Sequence, residues 1–132
     1  MAERISLGRF DYARDDAQRR IRITAREPLQ AIDLIAIIAR QAREETWTYG
    51  LLYDLRAIQA ITSRVDASTV ADYVRHQVMR YGSRGPVALV TRHIDVVGMG
   101  QMYAFLGAKA GVSVEVFWDF DEAEKWLDQR LS

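Results

Sequence analysis

Apolar and polar residues change period several times along the chain, and each change marks an element. Ile5 and Leu7 alternate with polar neighbours, as do Ile21 and Ile23, at the two-residue period of half-buried strands. Ile5–Ala13 and Arg20–Arg26 flank a polar turn, Arg14–Gln18, so the pattern predicts a β-hairpin. Glu27-Pro28 then opens a helix, because the missing N–H of proline would be unpaired at the first helical position anyway. Leu29, Ile32, Ile35, Ala36 and Ala39 form one apolar stripe. Leu34, Ile37 and Ile38 widen it, which predicts a helix covered on more than one side.

Tyr49-Gly50-Leu51-Leu52-Tyr53-Asp54-Leu55-Arg56-Ala57-Ile58 reads as a buried strand that runs onto a carboxylate and then into a polar loop. A second helix starts near Asp66, a good N-cap, and carries Val70, Tyr73, Val74, Val78 and Tyr81 at helical spacing before Gly82 and Gly85 break it. Pro86–Thr91 is a short continuous apolar run, the signature of a strand covered on both faces. Asp95 can cap a third helix through Ala110, and Val112–Trp118 alternates as a last strand. Asp119 and Glu122 form a capping-box arrangement ahead of a terminal helix. Phe120, Ala123, Leu127 and Leu131 would face its core, with Trp126 alongside.

The order is β-β-α-β-α-β-α-β-α. Strands that alternate with helices require right-handed crossovers and a largely parallel sheet, here with an antiparallel member from the hairpin. No repeat, linker or low-complexity tract interrupts the pattern, so residues 1–132 are expected to form one α/β domain with a mixed, mostly parallel sheet covered by helices.

Composition narrows the function classes. The 18 basic and 18 acidic residues cancel, so no overall field steers the molecule toward nucleic acid or an anionic membrane. Charge is nonetheless uneven: residues 1–26 hold seven Arg against four acids, and residues 112–132 hold six acids against two bases. The two ends could attract one another within the fold or be two solvated faces, and the small worth of surface charge pairs favours the second. Only Lys109 and Lys125 are lysines, a bias that reads as genomic base composition rather than phosphate recognition. Absence of cysteine excludes disulfides, thiolate metal sites and a cysteine nucleophile. The N-terminal stretch from Met1 contains no apolar core of signal-peptide length and no run reaches membrane-span length, which makes the cytoplasm the expected location.

The element order, with Leu52-Tyr53-Asp54-Leu55-Arg56-Ala57-Ile58 and Val116-Phe117-Trp118-Asp119-Phe120-Asp121-Glu122-Ala123, resembles the STAS-like domain, the group that includes sporulation anti-sigma-factor antagonists. The likeness covers nearly the whole chain in element order and these two segments in wording. In signalling members a strand ending in Asp-Leu is followed seven residues later by Asp-Ser-Ser-Gly, whose first Ser is phosphorylated to switch partner binding. Ungapped counting puts Thr62-Ser63-Arg64-Val65 on that motif, with Ser63 at the phosphorylated position. Thr62 replaces the acid, Arg64 the second Ser and Val65 the glycine. Some STAS-like chains of this length also look related to domains that carry lipids or other apolar ligands.

Candidate sites follow. Ser63 is either a phosphate acceptor near a helix N-terminus or a solvated loop serine. Asp54 either orients its loop by accepting backbone N–H bonds or lends a carboxylate to a ligand site. The segment Asp95–Lys109 is the least ordinary helix: it carries no charge between its ends, and apolar residues occur all round. Its three glycines each weaken a helix by roughly 0.8–1 kcal/mol relative to Ala, which points to close approach or mobility. His93, Val97, Met99, Met102, Tyr103, Phe105, Leu106 and Trp118 therefore form a candidate surface for a partner or an apolar ligand, or else belong to a plain core helix. Gly98 and Gly100 lack the third glycine and the spacing of a dinucleotide fingerprint. His76 is expected to be solvated, while His93 stands at the carboxyl end of a strand without the companions a metal site needs.

No catalytic, metal or cofactor motif emerges, and none of these groups is expected. The leading expectation is a non-enzymatic interaction or regulatory module that binds a protein partner or a second copy of itself through the 59–66 loop and the glycine-bearing helix. The alternative is a carrier or sensor of a small apolar, lipid-like ligand in a cavity lined by Met99, Met102, Tyr103, Phe105 and Trp118. An enzyme built on Asp54, Ser63 and His93 is the third.

Overall fold

The alternation at the N-terminus resolves into three strands rather than two. A computed structural model of the protein describes residues 2–6, 10–59 and 64–131. It contains β1 (Ala2–Ser6), β2 (Phe10–Asp15), β3 (Arg20–Ala25), β4 (Gly50–Asp54), β5 (Val87–Val90) and β6 (Val114–Phe117). Between and after them lie α1 (Ala31–Arg43), α2 (Arg64–Tyr81), α3 (Ile94–Lys109) and α4 (Phe120–Leu131). From β2 onward the order is the expected one; β1 adds an antiparallel partner to the outer side of β2.

All strands join one sheet in chain order, β1-β2-β3-β4-β5-β6. β1, β2 and β3 pair antiparallel, and β3 through β6 pair parallel. Each parallel crossover moves one strand further in the same direction. Right-handed connections then put α1, α2 and α3 on one face, where α1 packs on α2 and α2 on α3. α4 follows the last strand and packs on β4, β5 and β6 from the other face.

The two-residue strand period divides the side chains between these faces. Tyr12, Ile21, Ile23, Leu51, Tyr53 and Leu89 point toward α1 and α2 and meet Ile37, Ile38, Val70 and Val74. Leu52, Ala88 and Val90 point the other way and meet Ala123 and Leu127 of α4. Every residue of β5 is buried, which explains its unbroken apolar run.

Three helix starts differ from the pattern reading. α1 begins at Ala31, not at Pro28, because the Asp33 carboxylate accepts the Gln30 N–H at 2.8 Å and fixes the first turn there. Asp66 lies inside the first turn of α2 rather than at its cap, and Asp95 does the same in α3, whose cap is His93. An acid in the first turn is favoured by the helix dipole just as an N-cap acid is favoured by its bond, so the two placements leave the same mark in a sequence. In α1 the buried positions are Ile37, Ile38 and Gln41, whereas Ile32 is 67% exposed. The sheet and α2 cover the rest of the helix, so that Ala31, Leu34, Ile35 and Ala42 are half-buried and the exposed stripe is narrow.

The charge gradient has a structural cause after all. Arg20 sits on β3 facing α4 and is only 1% exposed. Its guanidinium donates to Glu124 at 3.0 Å and to Asp128 at 2.7 Å. Arg22 joins it, donating through Nη2 to the second Glu124 oxygen at 2.8 Å. The arginine-rich beginning and the acidic end thus bind each other across the second sheet face. Among the described residues no helix is long and apolar enough to cross a membrane.

Candidate functional site

The site begins with two glycines. Gly100 and Gly107 are two turns apart on α3 and face β6: a Cβ built on Gly100 would lie 2.9 Å from Val116 Cγ2, and one on Gly107 would lie 2.8 Å from Val114 Cγ2. Their missing side chains let the α3 backbone press against the edge strand. Gly98 does no such work, since nothing lies within 4 Å of its Cβ position.

Beside this contact, over the middle of the sheet, lies an apolar cavity of about 110 Å³. Its floor is Tyr53, Val87 and Leu89. Val70, Ala71 and Val74 of α2 form one wall, and Val96, Met99 and Tyr103 of α3 form another. Leu34 and Ile38 of α1 contribute on the far side of the floor, with Leu55 and Ile58 from the loop after β4. An engineered apolar cavity of about 150 Å³ stays dry and accepts benzene or xenon, which sets the scale of what this one can hold.

Polar groups interrupt the lining where Arg84, from the loop between α2 and β5, meets Tyr53. Tyr53 is buried, and that burial raises the phenol above its ordinary value of 10.0; the charge of Arg84 acts on it in the opposite sense and does not offset the burial. The phenol is therefore neutral at ordinary pH. Arg84 is held from behind. Its Nε and Nη2 donate to Gln41 Oε1 at 3.1 and 3.0 Å, and its guanidinium lies 5.5 Å from the centre of the Trp47 ring. Gln41, 0% exposed, is oriented by its own Nε2 donating to the Thr46 carbonyl at 2.9 Å.

The sequence reading placed the cavity lining partly in error. Met99 and Tyr103, four residues apart on one helix face, do line it. Met102, Phe105 and Trp118 do not: Phe105 is 61% exposed with the Lys109 ammonium 4.6 Å from its ring centre, and Trp118 is 57% exposed at the end of β6. Val97, Met102 and Leu106 are half-buried on the sides of α3. His93 is half-buried at the α3 cap, its backbone N–H donating to Thr91 Oγ1 at 3.3 Å. Thr62 and Ser63 lie outside the described residues, and Asp66 stands in the first turn of α2. Tyr53, Arg84 and Gln41 were not singled out; Tyr53 stands next to Asp54 in the strand that was.

Asp54 belongs to a different place. It points to the α4 side of the sheet and lines a cleft of about 290 Å³ with Asp11, Arg22, Thr24, Arg56 and Phe120. Arg56 donates to both its oxygens, at 2.9 and 2.8 Å, and its backbone N–H adds a third bond at 3.1 Å. Burial alone would raise the carboxyl; the bonds and charge of Arg56 outweigh it and hold Asp54 below the usual carboxylate value. Asp11 across the cleft is likewise paired, with Arg26 at 3.1 Å. Asp54 thus orients the loop after β4, with its charge internally matched. Among the described residues no group of three or more His, Asp or Glu is placed to hold a metal ion.

No family model, curated protein or solved structure matches the chain.

Proposed function

We propose that the chain is a non-enzymatic STAS-like module that holds a small, mainly apolar ligand beneath α3 and presents its occupancy to a partner through the outer face of that helix. The observation that carries this reading is the cavity. An apolar space of about 110 Å³ leaves the side chains that line it without packing partners on that side. A ligand that fills it supplies those contacts. The covering helix supports the same reading, because Gly100 and Gly107 seat α3 against β6 and themselves border the cavity beside Met99 and Tyr103. The sequential strand order supports the STAS-like architecture, and the internally paired Asp54 supports a role without proton transfer.

Native mass spectrometry of protein purified gently from its host tests the proposal. A small-molecule adduct that persists on the folded protein and is lost on denaturation is the expected result. A clean mass for the bare chain, together with no uptake of apolar probes, would contradict it.

A second reading is self-association through α3. Ile94 at 80% and Phe105 at 61% exposure leave an apolar strip on its outer face. Sedimentation at high micromolar concentration would show a dimer weakened by Phe105→Glu; a monomer throughout would remove this reading.

A further inference from the structure

Arg84 is unlike everything else around the cavity. Arg84 is half-buried, and a guanidinium partly withdrawn from water on an apolar wall gains from a matching anion. Arg20, in the same molecule, shows the usual solution, with two carboxylates on its Nη atoms. Arg84 has none among the described residues. Its partners are a neutral amide oxygen and an indole face, and the neutral Tyr53 phenol borders the same cavity.

The geometry of those partners leaves a specific vacancy in bonding capacity. Gln41 takes the Nε–Nη2 edge of the guanidinium. The remaining edge, formed by Nη1 and the second N–H of Nη2, has the fork spacing that fits the two oxygens of a carboxylate. Tyr53 adds to it. Its buried hydroxyl borders the same cavity as Arg84, and burial keeps its proton in place and available to donate. Gln41 cannot rotate to offer its amide N–H groups instead, because Nε2 is committed to the Thr46 carbonyl at 2.9 Å. Cation, donor and apolar space therefore converge at one wall.

We infer that the ligand is a small apolar carboxylate, with its hydrocarbon part in the cavity beneath α3 and its carboxylate on the free edge of Arg84 and the Tyr53 hydroxyl. The inference rests on the reading of the cavity as a ligand site and adds the chemical class. The cavity limits the hydrocarbon to about five heavy atoms, by comparison with a benzene-binding void of about 150 Å³. A single guanidinium suits a monoanion better than a phosphate, which calls for more donors.

Isothermal titration of the full chain with hexanoate, hexanamide and acetate separates the possibilities. Hexanoate and hexanamide share a chain and a shape and differ in charge; acetate keeps the charge without the chain. Hexanoate is expected to bind about tenfold or more tighter than either. Arg84→Met and Tyr53→Phe are each expected to bring hexanoate down toward hexanamide while leaving hexanamide where it was. Equal binding of hexanoate and hexanamide would overturn the carboxylate assignment and leave the apolar cavity reading intact. Binding of acetate as tight as hexanoate would overturn it by placing the anion site apart from the cavity. Binding of none of the three would count against both readings. The wild-type comparison and Tyr53→Phe, which removes one oxygen, keep the test decisive even if Arg84→Met does not fold.

Discussion

Individual side chains in this protein do opposite jobs according to which face of the sheet they meet. Arg20 and Tyr53 are both buried and polar, yet Arg20 ties the two ends of the chain together while Tyr53 borders open space. Removing Glu124 takes one carboxylate from buried Arg20 and another bond from Arg22. Glu124→Ala is therefore expected to lower unfolding stability by about 3 kcal/mol, measured by urea denaturation, and Glu124→Gln by less. The buried phenols give a second expectation, in the alkaline range. Tyr12 is raised by burial and by the nearby Glu44, and Tyr53 by burial against the opposing pull of Arg84. Above the ordinary phenol value of 10.0 the unfolded chain gives up protons that the folded chain keeps, so stability falls as pH rises. The urea midpoint should begin to drop near pH 10 and fall further above it, and Tyr53→Phe should flatten part of that drop. A midpoint independent of pH across this range would show that neither phenol is protected.

Among the elements, α3 decides how the site is built. Its glycines look alike in sequence and differ in consequence. Gly98 faces open space within a helix, so Gly98→Ala is expected to raise stability by about 0.8–1 kcal/mol. Gly100→Ala and Gly107→Ala drive a methyl into Val116 and Val114 and are expected to lower the thermal midpoint. The opposite signs can be read in one set of melting curves. Elements were legible wherever a period was strong: the apolar run of β5, the Ile21/Ile23 alternation of β3 and the Ala123/Leu127 spacing of α4 all lie where their pattern put them, whereas the single strand read over 5–13 from Ile5 and Leu7 is divided between β1 and β2, with Leu7 outside the described residues. Asp54 was legible too, as a strand-end carboxylate that holds its own loop. Arg20 was not, because a polar residue at an outward strand position reads as solvated until α4, more than a hundred residues later, closes over it. Arg84 was harder still. It sits in a loop without period, and its meaning comes from Gln41 and Tyr53 on two other elements. The exposure of Phe105 and the burial around Met99 could not be separated in a helix that is apolar all round.

At the scale of the whole molecule, sequential strand order places three helices side by side on one face, and the cavity lies where they meet the sheet. The opposite face is packed by α4 over β4 to β6, and its cleft beside Asp54 is bordered by charges already paired. Function is accordingly expected on the three-helix face, and a substitution such as Ala71→Leu, which fills the cavity from α2, should abolish ligand-induced stabilisation while leaving the fold intact by circular dichroism. The central claim, that the space beneath α3 accepts a small apolar molecule, is tested most directly by methyl-detected NMR of the labelled protein titrated with benzene. The account predicts saturable shifts concentrated on Val70, Val74, Leu89, Val96 and Met99, and their loss in Ala71→Leu. Shifts absent from those methyls, or confined to Ile94 and the surroundings of Phe105 on the outer face, would contradict it.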